Sequence, residues 1–222
     1  MEKTKAVVLF SGGQDSTVCL YWAIENFDEV YPLVINYGQK HVVEVSSAIK
    51  IIQMAGLEDN AEFLRLPMNI LKGGTLLNQE SQASGSIADT WVPYRNMLFL
   101  TIALNRALVL GELSAVVTGV NAVDYSGYPD CREVFISSMF EAGIEASEKV
   151  IDIITPLIYY SKSEIVKIGA SLEGCMEALA YSHTCYNGQV PPCGECNSCI
   201  LRAKGFEEAG IKDPLIERLA YA

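Results

Sequence analysis

Five apolar residues, Ala6 to Phe10, run without a polar break into Ser11-Gly12-Gly13-Gln14-Asp15-Ser16, after which the apolar spacing turns helical. A strand that is apolar on both faces must be covered on both faces, and a parallel sheet with helices above and below does this. The rest of the chain repeats the alternation. Asp15 to Phe27 reads as a helix, Val30 to Asn36 as a strand, His41 to Leu57 as a helix, and Ala61 to Leu66 as a strand ended by Pro67. Asn96 to Leu110 is apolar nearly all round and reads as a buried helix. Strands are expected at Ala115 to Val120 and Val150 to Thr155, with a helix between them from Arg132 to Ser147. Residues 69 to 90, rich in Gly, Ser, Asn and Gln, read as a long loop, and Asn69 to Thr90 is the expected lid. The fold class is therefore α/β, a doubly wound parallel sheet with right-handed crossovers. On such sheets ligands bind beyond the carboxyl ends of the strands, where the strand order reverses.

The turn after the first strand is built for an anion. Gly12 and Gly13 let the backbone turn sharply and aim its N–H groups inward, while Ser11 and Ser16 add hydroxyls. The following helix directs the positive end of its dipole at the same point. Asp15 fits this only as a Mg²⁺ ligand or as a helix cap, and the same residues also suit an ordinary βα turn. The glycine-lysine-serine ending of a Walker loop is missing, and adjacent glycines do not make a dinucleotide fingerprint. Ser-Gly-Gly-x-Asp-Ser after a first strand resembles the pyrophosphate loop of N-type ATP pyrophosphatases. That resemblance implies an adenine nucleotide alpha hydrolase-like fold, with ATP held by Phe10, Ser11, Gly12, Gly13, Gln14, Asp15, Ser16 and Thr17 and cut between its α and β phosphates.

Near the C-terminus, Cys185, Cys193, Cys196 and Cys199 follow the spacing C-x7-C-x2-C-x2-C around Gly194. Thiolates two residues apart can converge on one ion, and four sulfurs close a tetrahedral Zn²⁺ shell, which makes the site structural. Spacing alone also admits an iron–sulfur cluster. Cys19, Cys131 and Cys175 read as small buried hydrophobes, and His183 as a packing neighbour of the cluster. The N-terminus holds no apolar run of signal-peptide or membrane-span length, so a cytoplasmic protein with reduced thiols is expected. A formal net charge of −11 argues against a broad nucleic-acid surface.

Three further stretches narrow the chemistry: Val92-Pro93-Tyr94-Arg95-Asn96, the run Gly119 to Arg132, and Thr155-Pro156-Leu157 with Lys162. Helix capping at the first and a solvated turn at the second are the plain alternatives. With Tyr37-Gly38-Gln39-Lys40-His41, Ser126-Gly127-Tyr128-Pro129-Asp130-Cys131-Arg132 and the four cysteines, they resemble the 7-cyano-7-deazaguanine synthase family of the queuosine pathway nearly end to end. The resemblance implies an ATP-pyrophosphatase domain over residues 1–175 and a small helical zinc-binding subdomain over 176–222. It implies a homodimer that combines 7-carboxy-7-deazaguanine with ammonia, using ATP and Mg²⁺. Asp15, Ser16 and Lys162 would be catalytic, and Arg95, Asn121, Asp124, Asp130 and Arg132 would hold the substrate. A tRNA-thiolating enzyme with the same phosphate loop is the alternative, and it would need a basic RNA surface.

Overall fold

The computed structural model describes residues 3–38, 42–67, 70–73, 77, 91–111, 113–123 and 128–220. Five strands form one sheet: β1 (Lys5–Leu9), β2 (Glu29–Asn36), β3 (Glu62–Arg65), β4 (Ser114–Thr118) and β5 (Asp152–Ile154). All pairings are parallel and the order is β3-β2-β1-β4-β5. The helices are α1 (Gln14–Asn26), α2 (Val42–Met54), α3 (Arg95–Leu110), α4 (Glu133–Ser147), α5 (Lys162–Ser171), α6 (Cys175–Leu179), α7 (Asn197–Ala209) and α8 (Pro214–Ala220). Most of the expected lid, residues 39–41 and Asp124 to Gly127 lie outside the described residues.

The period-two alternation of a strand divides the core. Ala6, Val8 and Phe10 face one layer, with Val18, Ile51, Ile165 and Leu179 from α1, α2, α5 and α6. Val7, Leu33, Ile35 and Val116 face the other, with Leu100, Ala103 and Ala107 of α3 and Ile136 and Met139 of α4. Both faces are covered, as the unbroken apolar run of β1 requires. Pro32 is tolerated inside β2 because β3 pairs only from Leu33 onward, which leaves that stretch without a neighbour on one side.

One expectation needs correction. Helix α3 is not buried all round: Leu100, Ala103 and Ala107 form a single stripe against the sheet, while Met97, Leu108 and Val109 are exposed. Its apolar composition exceeds what one helix face can bury. Beyond residue 175 the chain folds back onto α5. The tight contact falls at Gly205, where a β-carbon would stand 2.7 Å from Cβ of Lys162. Arg202 is buried there, donating to both carboxylate oxygens of Asp213 at 2.6 and 2.8 Å, to Ser182 Oγ and to the Leu179 carbonyl. Such a charge tolerates burial because each N–H direction used finds an acceptor.

Candidate active site

The chain reverses direction across the sheet between β1 and β4, and the loop after β1 lies at that point. Phe10 N donates to the Leu33 carbonyl at 3.0 Å, fixing the loop to β2. Gly12 has φ +82°, and a β-carbon on it would stand 2.6 Å from the Glu44 carbonyl oxygen and 2.7 Å from Ala48 N. Only glycine fits, because the loop is pressed onto α2. Gly119, after β4, is confined less severely: its β-carbon would be 3.2 Å from Ser16 N. The chain leaving β4 thus passes against the first turn of α1.

Within the loop the two serine hydroxyls lie 3.0 Å apart, Gly13 N donates to Ser11 Oγ, and Ser16 Oγ and Thr17 Oγ1 donate to the Gly13 carbonyl. Gly13 is the N-cap of α1 and no side chain caps that helix. The N–H groups of its first turn therefore face the cavity with the dipole behind them, an arrangement suited to phosphate. Asp15 is not the cap. Its Oδ2 accepts from Lys162 Nζ at 2.5 Å, and its Oδ1 is buried without a partner among the described residues. Lys162 opens α5, whose start is fixed by a capping box between Ser161 and Glu164.

These groups line a cavity of about 350 Å³, in the size range of small-molecule sites. Arg95, Tyr37 and Glu44 line the same cavity. Arg95 Nη1 donates to the Tyr37 hydroxyl at 3.2 Å, and the Tyr37 ring meets Phe99 edge-on at 5.2 Å. Burial pushes the Glu44 carboxyl up to about 8, and neighbouring Arg95 draws it back down in part. Asn96 also lines the cavity and is no helix cap: its amide donates to the Asp130 carbonyl and to Cys131 Sγ. Burial raises the Cys131 thiol to about 12, which makes it an apolar wall group.

The structure spreads the other residues singled out in the sequence. Asn121 lines the cavity, but its amide donates to the Leu157 and Tyr160 carbonyls and ties the ends of β4 and β5 together. Asp130 is buried behind Asn96, and one of its carboxylate oxygens has no partner among the described residues. Arg132 is exposed as the N-cap of α4, away from the cavity lining. Asp124 lies outside the described residues. Glu44 is the cavity carboxylate that sequence reasoning missed; a glutamate in a helix's first turn is common, and its only signal is its place just after Tyr37-Gly38-Gln39-Lys40-His41.

The C-terminal segment supplies the last wall. His183 N donates to the Gly12 carbonyl at 2.9 Å, and His183, Thr184 and Tyr186 line the cavity. Just beyond them, the Sγ atoms of Cys185, Cys193, Cys196 and Cys199 all lie within 4.8 Å of one another. Sulfurs around one zinc-sized tetrahedral ion, with bonds of about 2.3 Å, stand about 3.8 Å apart. The Cys193–Cys199 separation is 3.9 Å. A single ion fits this set, whereas a four-iron cluster would hold the thiolates farther apart. Backbone amides of Cys193 and Cys196 donate to sulfur in the same cluster, as they do to thiolates.

A sequence profile of the family described as "Queuosine biosynthesis protein QueC" matches residues 5–210. The chain is 45% identical to the 7-cyano-7-deazaguanine synthase of Chromobacterium violaceum over 221 residues, which span 96% of this chain and 94% of that one. Among solved structures it resembles NMN synthetase from Francisella tularensis, with a TM-score of 0.52 and 15% identity over 99% of this chain and 83% of that one. It also resembles the U34-tRNA thiolase NcsA from Methanococcus maripaludis, solved with its 4Fe–4S cluster, with a TM-score of 0.50 and 15% identity over 94% of this chain and 66% of that one. At such identities the solved structures share the fold with this chain, that of the adenine nucleotide alpha hydrolase-like proteins.

Proposed function

The chain belongs to the QueC family of queuosine biosynthesis proteins, and on that footing we propose that it is an ATP-dependent carbon–nitrogen ligase making 7-cyano-7-deazaguanine from 7-carboxy-7-deazaguanine and ammonia. One observation carries the reading. A single cavity brings together a phosphate loop with Lys162, a half-buried arginine, a carboxylate and aromatic walls.

A carboxylate resists attack by ammonia because its oxygen is a poor leaving group. Transfer of AMP from ATP to that oxygen, with pyrophosphate released, gives it a good one. Ammonia then displaces AMP to form the primary amide, and a second adenylation on the amide oxygen lets AMP leave again to give the nitrile. The N–H groups of the first turn of α1, with the Ser11 and Ser16 hydroxyls, receive the phosphates, and Lys162 offsets charge that builds on them. Asp15 Oδ1, buried and without a partner among the described residues, would hold Mg²⁺, which would neutralise phosphate charge. Arg95 offers the cation for the substrate carboxylate, with Asn96 and Asp130 holding the wall beside it. The four thiolates would hold Zn²⁺ as a structural ion, leaving no open position for chemistry.

The enzyme works as a homodimer in the cytoplasm on small molecules, and its net charge of −11 gives RNA little to bind. Among the described residues no helix is long and apolar enough to cross a membrane. The thiolase alternative rests on fold likeness alone. Turnover of 7-carboxy-7-deazaguanine with ammonium, Mg²⁺ and ATP, followed by mass spectrometry, tests the proposal. Nitrile is expected, with two AMP and two pyrophosphate for each. A folded, metal-loaded protein that forms none of these products would overturn it.

A further inference from the structure

Glu44 is a cavity carboxylate that the reaction above leaves unused. It stands in the first turn of α2, with its own carbonyl against Gly12, so the phosphate loop fixes its position. Its side chain is part-exposed and lines the cavity near Arg95 and Tyr37. Among the described residues no hydrogen bond ends on its carboxylate, and the guanidinium of Arg95 donates to the Tyr37 hydroxyl. A part-exposed carboxyl that lines a cavity and takes no donor from the described residues is free to take donors from a ligand.

The walls nearby define the kind of ligand. Leu33, Ile35 and Phe99 line the same cavity, and the Tyr37 and Phe99 rings meet at 61°. Such surfaces suit the faces of a flat heterocycle and leave its edge for Glu44. A guanine-type edge presents N1–H and the 2-amino group side by side, two donors at the spacing of two carboxylate oxygens. An adenine-type edge presents one amino group beside a ring-nitrogen lone pair, which a carboxylate repels.

We propose that Glu44 reads the N1–H and 2-amino edge of the deazaguanine ring and so directs the base slot to a guanine-type substrate and away from the adenine of ATP. The inference rests on the function proposed above and adds a specificity-determining residue to it. Burial disfavours the ionised carboxyl in the unliganded cavity; two N–H donors from the ring edge would restore it.

The test compares wild type with Glu44→Gln and Glu44→Ala on 7-carboxy-7-deazaguanine and on 7-carboxy-7-deazahypoxanthine, which lacks the 2-amino group. Binding is measured by calorimetry and turnover by product formation. Metal content and unfolding midpoint serve to confirm that each variant is folded. Wild type is expected to favour the amino compound by about 100-fold or more, as sites built to hydrogen-bond a missing group do. In both variants that preference should shrink to within about tenfold, through weaker binding of the amino compound, while KM for ATP shifts less than about threefold. An equal loss on both compounds would make Glu44 a support for Arg95, and a shift confined to KM for ATP would place it on adenine; either overturns the inference. Selective binding without turnover would leave the inference standing and sink the proposed reaction, whereas turnover with undiminished selectivity in the variants would do the reverse.

Discussion

Glu44 carries a measurable cost at the scale of a single residue. Its carboxyl is pushed up to about 8 by burial, with Arg95 opposing, against an ordinary value of 4.5. Between those values the folded protein holds a proton that the unfolded chain has lost, so this residue's contribution to stability declines as pH rises from 4.5 to 8 and stays low above that. Glu44→Gln removes the titration. Without ligands, the variant should gain on wild type by roughly 1–2 kcal/mol at pH 8.5 relative to pH 4.5, the scale of an unpaired polar group. Urea unfolding at both pH values checks this, and a pH-independent difference would mean that the carboxylate ionises freely in the native protein. Stability surrendered at a binding group in this way is a common trade for function. At the phosphate loop, Lys162→Ala would leave Asp15 without its cation beside incoming phosphates. Pyrophosphate release should fall by about 10²–10³, the usual loss for one fixed charge-stabilising group.

Among the elements, the contact between α5 and α7 decides whether Lys162 reaches the loop. Gly205 lets the two helices touch, and a β-carbon there would come within 3.1 Å of the Lys162 carbonyl carbon as well as 2.7 Å of its Cβ. Gly205→Ala should therefore cost about 1–3 kcal/mol despite alanine's higher helix propensity, and should raise KM for ATP as Lys162 is displaced. Gly143→Ala in α4 is the matched control. Among the described residues its β-carbon would meet the Leu104 side chain, at 3.4 and 3.9 Å, and the change should alter stability by less than about 1 kcal/mol. Denaturant titration of both variants separates a steric effect from a propensity effect. None of this contact is written in local sequence, since glycine in a helix reads as a weakness until its neighbour is known. The strands were legible because two-sided burial forces continuous apolar runs, and β1, β2 and β4 fall within two residues of where those runs place them. Helix α3 misled because its apolar residues outnumber those its buried stripe uses. In the site, the phosphate loop and the cysteines were legible because their spacing is local. Glu44 and the wall at His183 were not, because they meet the loop only through the fold.

For the whole molecule, the C-terminal segment closes the active cavity and is itself held by a cluster with almost no apolar core of its own. Cys185, Cys196 and Cys199 are buried, with Tyr186 and Cys193 packed against them. A unit that small draws its stability from its ion, and binding free energy there is folding free energy. The same segment sets His183 on the Gly12 carbonyl and brings Tyr186, Leu201 and Arg202 to the cavity. Removing the ion should therefore do more than loosen a surface appendage. Chelation, or Cys196→Ser, is expected to leave the sheet and its helical layers folded while residues 185–199 lose protection from proteolysis. ATP affinity should weaken by about tenfold or more, because one wall of the phosphate pocket goes with them. Limited proteolysis mapped by mass spectrometry, beside calorimetric titration with ATP, reads the two effects in one preparation. Digestion at the cysteine segment with unchanged ATP affinity would uncouple the knob from the site. A metal-free variant that resists digestion and binds ATP as wild type does would show that the fold closes the cavity without its ion.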